Sequence, residues 1–172
     1  YTCSDENAPV NVRNAVEKKC YVNKDNIISA YKKFEKPSYH VIGNHDCDVC
    51  SKQEVLEYYG ANYEPYYSFD VGGFHFVVLD NNNYVIDGKE YSYERGNYFN
   101  ESYRDKKPFP YVPKVQLAWL KDDLAKTKNP TIVFSHYTLE STTHDNFSDE
   151  VKQNICELMD ILNSAPSGAY MS

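Results

Sequence analysis

Short apolar runs alternate with amphipathic helical stripes along this chain, and each run is closed at once by glycine or by polar residues. Tyr39–Ile42, Tyr66–Val71, Phe74–Asp80 and Thr131–Phe134 have the length and composition of strands, too brief for stable helices. Gly72-Gly73 joins the second and third, a hairpin signal because two glycines tolerate positive φ. Between these runs the apolar spacing changes to that of a helix. Ile27, Ile28, Tyr31 and Phe34 form one stripe from Asn23 onward, which Pro37 stops. Val55, Leu56 and Tyr59 follow a Ser51/Glu54 capping box and run to Gly60. Leu117, Leu120 and Leu124, widened by Trp119, follow Pro113, and Ser148 caps a stripe of Val151, Ile155, Leu158, Met159 and Leu162. Strands alternating with helices predict an α/β domain with an antiparallel hairpin inserted. Residues 1–22 and 164–172 carry no clear pattern, and 81–111 reads as a long excursion rich in Tyr and Asn.

At 172 residues the chain has the length of about one domain, and 41% hydrophobic residues supply a core. A formal charge of −7 argues against a general binder of nucleic acid or anionic membrane, and no apolar run is long enough to span a bilayer. Tyr1–Val10 lacks the basic start and apolar run of a signal peptide. Five cysteines, at positions 3, 20, 47, 50 and 156, cannot all pair within the chain. Cys47 and Cys50 form a lone C-x-x-C, half of a structural zinc site at most. Two sequons, at Asn100 and Asn146, permit glycosylation in a secreted context and leave the compartment open.

Two histidines stand just past apolar runs, His45 after Tyr39–Ile42 and His136 after Thr131–Phe134. The crevice beyond the carboxyl ends of strands is where open α/β sheets bind ligands. Gly43-Asn44-His45-Asp46 gathers an amide, an imidazole and a carboxylate in one turn, with Gly43 expected to let the backbone bend sharply. Asn44 offers a neutral oxygen suited to a divalent cation, and Asp46 can fix the tautomer of His45. A protonated His45 can donate to a leaving-group oxygen. A plain polar turn is the competing interpretation of the same four residues.

Tyr39-His-Val-Ile-Gly-Asn-His-Asp46 resembles the signature of the calcineurin-like metallophosphoesterases, an apolar strand ending in G-N-H-D/E. Tyr66-Tyr-Ser-Phe69 with Gly73-Phe-His-Phe-Val-Val-Leu-Asp80 is similar to the hairpin after that motif. Gln116-Leu-Ala-Trp-Leu120 resembles the helix before the next active-site strand, and Ile132-Val-Phe-Ser-His136 that strand with its metal-binding histidine. The resemblance implies a metallophosphatase-type sheet sandwich flanked by helices, and a two-metal hydrolase of phosphate mono- or diesters that uses metal-activated water. It implies that Asn44 and His136 bind one of two divalent ions, of Mn, Fe, Zn or Mg type, that His45 stabilises the transition state or protonates the leaving group, and that Asp46 orients it. Small-molecule or nucleotide phosphate esters are the implied substrates.

The family's D-x-H, G-D and G-H-x-H motifs have no counterpart in this chain. The expectation is therefore one partial domain over 1–172, incomplete at both ends, with an insertion at about 81–111, inactive by itself. The alternative is a catalytically inactive binding or structural module on the same scaffold; a zinc-stabilised domain using Cys47, Cys50 and a histidine is a third reading. Asn44 and His136 must converge to roughly 3–4 Å if one cation is to take both, with His45 on the same rim, Asp46 in hydrogen-bond reach of its ring or of the local backbone, and His75 and Cys156 elsewhere. His40 and His75 read as structural and His144 as a loop residue. Asp80 reads equally as a border of the crevice or a sheet-end hydrogen-bonding group. Tyr91–Phe109 reads equally as a substrate-facing lid or an insertion packed on its own tyrosines.

Overall fold

The computed structural model describes residues 25–99, 103, 106–138 and 147–171. Helix α1 covers 25–31, shorter than its apolar stripe. After Tyr31 the chain tightens, with Phe34 N bonded to Tyr31 O at 2.8 Å, and Phe34 is left exposed. Pro37 disfavours helical backbone just ahead of it, so the stripe runs on past the helix. Helix α2 (Lys52–Tyr59) has the full capping box, Ser51 Oγ accepting from Glu54 N and Glu54 accepting from Ser51 N, and Gly60 closes it at φ 69°. Helix α3 spans Lys114–Lys126 and helix α4 spans Asp149–Asn163, the latter capped by Ser148 Oγ accepting from Val151 N.

The main sheet has four strands in the order β1-β2-β5-β6, and a separate two-stranded ribbon pairs β3 with β4. Strands β1 (Tyr67–Val71) and β2 (Phe74–Val78) form the expected antiparallel hairpin, with Gly72 at φ 60° and Gly73 at φ 84°. Strand β5 (Thr131–Phe134) lies parallel to β2, pairing Val77 with Val133. Strand β6 (Ala169–Met171) adds parallel to β5 from the tail, where sequence pattern alone shows no strand. Three residues are too few for a readable period, so pairing with β5 makes the strand.

Alternation divides the sheet into two faces. Val77, Leu79 and Val133 bury against Leu117, Leu120 and Leu124 of α3 and against Val151, Ile155, Leu158 and Leu162 of α4. Each such leucine is worth roughly 1.5–3 kcal/mol relative to exposure, so this face holds the domain together. On the opposite face Phe69, Phe76 and Phe134 form a ladder with ring centroids 5.1 and 6.3 Å apart, and Tyr39 stacks on Phe69. They line a groove of about 490 Å³ with Val41 and Val78. A second sheet over this face is not found among the described residues.

The expected buried strand Tyr39–Ile42 does not form. The segment has no ladder pairing; Ile42 is buried, but Tyr39 and Val41 are exposed. Side chains hold it in place of a neighbouring strand. Tyr67 Oη accepts from His40 N at 2.7 Å and donates to His40 O at 3.0 Å, and Asn82 Nδ2 donates to Ile42 O at 2.6 Å.

The excursion 81–111 contains the β3 (Asn83–Ile86) and β4 (Lys89–Ser92) hairpin, turned at Asp87 and Gly88 with φ of 51° and 77°. Asp-Gly between two short runs is a type I′ turn signal, masked in the sequence by its polar, tyrosine-rich surroundings. Its tyrosines point inward. Tyr84, Tyr93 and Tyr98 share a core with Ile42, Cys47, Cys50, Val55 and Leu56. Tyr93 stacks on Tyr98 at 4.1 Å. These tyrosines of the stretch pack with residues of the 43–50 turn.

Candidate functional site

Three segments end at one edge of the sheet: 43–48, 79–83 and 135–137. Leu79 N bonds Phe134 O at 2.9 Å, which carries the β2–β5 pairing to the rim. Beyond it, Asn81 Nδ2 donates to Tyr137 O at 3.1 Å. Asp80 is buried and does not border an open crevice. It takes Lys52 Nζ at 2.5 Å on one oxygen and Asn82 N at 3.1 Å on the other. Lys52 Nζ also reaches Asn83 Oδ1 at 2.9 Å. Gln116 brackets the Asp80 backbone, accepting from its N at 2.9 Å and donating to its O at 2.8 Å. A buried ion pair persists only with further hydrogen bonds to its members, and here the Asn82 and Asn83 amides supply some of them, while Asn82 Oδ1 is left without a partner. Asn82, bonded to Ile42 O, ties this buried network to the residue just before Gly43.

Asn44 opens a single 3₁₀ turn, Asn44–Cys47. Its side chain meets that of His136 across 92 positions of sequence, with His136 Nε2 and Asn44 Oδ1 2.8 Å apart. An amide oxygen only accepts, so Nε2 carries the proton of this bond. Gly43 has φ −94° and ψ 162°, extended backbone open to any residue, so no sharp bend calls for glycine there. Space does. A Cβ at this position would lie 3.2 Å from His136 Cε1 and 3.3 Å from Nδ1, closer than side chains normally pack. Glycine lets the imidazole of His136 lie against the turn that carries Asn44.

His45 is on the same rim, with its side chain 73% exposed. Its Nδ1 faces Asp48 Oδ2 at 3.0 Å, three residues on. Asp46 accepts from Gly43 N through Oδ2 at 2.9 Å, which closes the turn. The geometry follows from the 3₁₀ turn, in which residues three apart eclipse. Asp48 is gripped from the far side by Tyr98, whose hydroxyl lies 2.5 Å from Asp48 Oδ1 and 2.9 Å from Asn44 O. Burial, with the Asp48 carboxylate beside it, pushes the Tyr98 hydroxyl far above the usual tyrosine range, so it stays a donor. The same insertion holds the turn by backbone, Gly96 N bonding Cys47 O at 2.9 Å and Arg95 N bonding Cys50 O at 3.1 Å.

Other sequence candidates lie away from this rim. His75 is clamped between Asp70 and Asp123 toward the opposite end of β2. His40 stacks on Tyr59 at 4.0 Å, and burial lowers its pKa. Cys156 is exposed on α4, while Cys47 and Cys50 are buried in the core beneath the turn. His144, Asn100, Asn146, Cys3 and Cys20 lie outside the described residues. The zinc reading of Cys47 and Cys50 finds no support, since no group of three or more His, Cys, Asp or Glu side chains suited to a metal occurs among the described residues.

Sequence reasoning missed Asp48, Tyr98, Lys52 and Asn82. Asp48 had a signal, its spacing of three from His45; Tyr98 had none, being one of 17 tyrosines.

The donor chemistry fits part of a metal centre. Asn44 Oδ1 and His136 Nε2 are neutral oxygen and nitrogen donors already near the spacing of adjacent ligands on one cation. No group of three or more His, Cys, Asp or Glu side chains suited to a metal includes them among the described residues.

A family model described as calcineurin-like phosphoesterase matches residues 13–162. The chain therefore belongs to the calcineurin-like phosphoesterases, and the mixed sheet flanked by helices is consistent with that fold. Membership supports a general phosphoester hydrolase function in a family that uses divalent metals. No curated protein and no solved structure matches the chain. No helix among the described residues is long and apolar enough to cross a membrane.

Proposed function

We propose that this chain carries the Asn–His part of a dinuclear phosphoesterase site, for hydrolysis of phosphate mono- or diesters, small-molecule or nucleotide, by metal-activated water. The observation that carries this reading is the approach of Asn44 Oδ1 and His136 Nε2 to 2.8 Å from segments 92 positions apart. Asn44 and His136 would hold one divalent cation. Two bound cations would supply charge stabilisation at the phosphoryl oxygens and an activated water. His45, exposed beside them, meets the leaving-group oxygen as a proton donor, and Asp46 keeps the turn closed through Gly43 N.

A catalytically inactive module is the second reading. It is favoured by the missing carboxylate cluster among the described residues. Titration of the chain with manganese or zinc, followed by calorimetry, tests the donor pair. Saturable binding is expected, and Asn44→Ala and His136→Ala should each weaken it about tenfold or more. Equal affinity in all three proteins overturns the metal assignment. Hydrolysis of nitrophenyl phosphate then separates the two readings. This chain alone should do no better than metal in buffer, whereas a gene product that adds D-x-H, G-D and G-H-x-H motifs should hydrolyse it in a chelator-sensitive way. Such a product that binds metal without hydrolysis supports the module.

A further inference from the structure

Among the described side chains of 81–111, that of Tyr98 reaches the carboxylate that partners His45. Tyr98 comes from the 3₁₀ turn Asn97–Phe99 and is buried among aromatic neighbours, Tyr93 on one face at 4.1 Å and Phe99 at 4.4 Å. Its one hydroxyl proton has two acceptors in reach, Asp48 Oδ1 at 2.5 Å and Asn44 O at 2.9 Å. A carboxylate oxygen attracts that proton more strongly than a carbonyl at the longer distance. The bond holds Asp48 by Oδ1 and leaves Oδ2 aimed at His45 Nδ1, 3.0 Å away. Asp48 is 13% exposed and His45 73% exposed, so the carboxylate is the fixed member of the pair and the imidazole the one that faces outward.

We propose that Asp48, locked by Tyr98, is the positioning residue of His45: it keeps the neutral ring's proton on Nδ1, so that Nε2 is the nitrogen that takes up a second proton before passing one to a leaving-group oxygen. An ionised carboxylate can only accept, so the proton of the His45–Asp48 bond belongs to Nδ1. The hydrogen bond at one ring nitrogen decides the role of the other. Without that bond, an imidazole this exposed would turn about its side-chain torsions and would carry its proton on Nε2, the nitrogen neutral imidazoles favour in water. The proposal rests on the phosphoesterase reading only for what Nε2 would meet; the tautomer is a property of the metal-free chain.

The test is nitrogen-15 spectroscopy of the His45 ring in the metal-free chain, at a pH where the ring is neutral. The unaltered protein should show protonated Nδ1 and bare Nε2. Asp48→Ala should reverse that pattern, and Tyr98→Phe, which keeps the ring packing, should move it part of the way. Asp48→Asn retains one acceptor oxygen and should restore much of the Nδ1–H signature lost in Asp48→Ala. Bare Nδ1 in the unaltered protein overturns the proposal whatever the variants do, as does a tautomer unchanged in Asp48→Ala. Hydrolysis by the motif-complete gene product is measured separately, so failure there counts against the phosphoesterase reading and leaves the tautomer result standing.

Discussion

Two histidine centres occupy opposite ends of the same sheet and are built on opposite terms. His75, on β2, has a carboxylate on each ring nitrogen, Asp70 at 2.9 Å on Nδ1 and Asp123 at 2.8 Å on Nε2. Ser68 holds the other oxygen of Asp123 at 3.0 Å, and the imidazole is 6% exposed. At the rim, His45 gives Nδ1 to Asp48 and His136 gives Nε2 to Asn44, and both rings are exposed. A ring with both nitrogens engaged ties elements together, here β1, β2 and α3. His45 is held through Nδ1, whereas His136 bonds Asn44 through the same Nε2 that the proposed cation would take.

The sharpest way to break this contrast is to remove one ring from each centre. His45→Ala should lower hydrolysis by a hydrolysing form of the domain by roughly 100-fold, the scale of general acid–base work, with the unfolding free energy unchanged within about 0.5 kcal/mol. His75→Ala should do the converse. It removes two hydrogen bonds to charged groups and should cost about 2 kcal/mol in urea unfolding, while divalent-cation affinity at the rim stays constant. If each variant changed both properties, the two centres would not be separable.

A smaller effect sharpens the account of His75. Burial alone would lower its pKa, but the bonds to Asp123 and Asp70 and their charges outweigh it and raise the value above 6.5. The unfolded chain binds that proton less tightly, so the clamp stabilises the fold fully below the unfolded pKa of about 6.5. The contribution is lost as pH rises through the higher folded value. Asp70 runs the other way. The bond to His75 lowers its pKa, so its contribution is present above the ordinary carboxylate value and fades in acid. Urea unfolding across pH 6 to 9 should show stability falling with pH in the native chain and a flatter profile in His75→Ala; parallel profiles would refute the clamp.

The smallest expected effect tests the space left by Gly43. Gly43→Ala brings a methyl to 3.2 Å from His136 Cε1, so the ring must give by a few tenths of an ångström. Manganese affinity should fall several-fold with little change in stability. Unaltered affinity would mean that Asn44 and His136 do not depend on this close approach.

Much of the framework is local chemistry and was legible in the residues. Ser51 with Glu54, Gly60, Ser148 and the Gly72-Gly73 pair fix ends and turns by bonds or torsions that span a few positions. The leucine stripe of α3 and the alternation of β2 say which faces bury. The Asp87-Gly88 turn was equally legible, and the polar, tyrosine-rich surroundings obscured it. Asn44, His45 and His136 could be singled out because each directly follows an apolar run.

What the tertiary structure decided depends on partners far away in sequence. Tyr39–Ile42 has the composition of a strand but lacks a ladder partner, and no property of four residues reports whether a neighbour is present. The tail becomes β6 only through pairing with β5. Asp48 meets His45 because the 3₁₀ turn eclipses residues three apart and Tyr98, 50 positions on, fixes the carboxylate there. Asn44 meets His136 because β2, β5 and the Lys52–Asp80 network bring three segment ends to one edge. The sequence by itself determined which side chains this protein has to offer at each turn and which faces it must bury, since period and capping are short-range. Which of those side chains meet was decided by long-range backbone pairing and buried polar bonds, which leave no periodic mark along the chain.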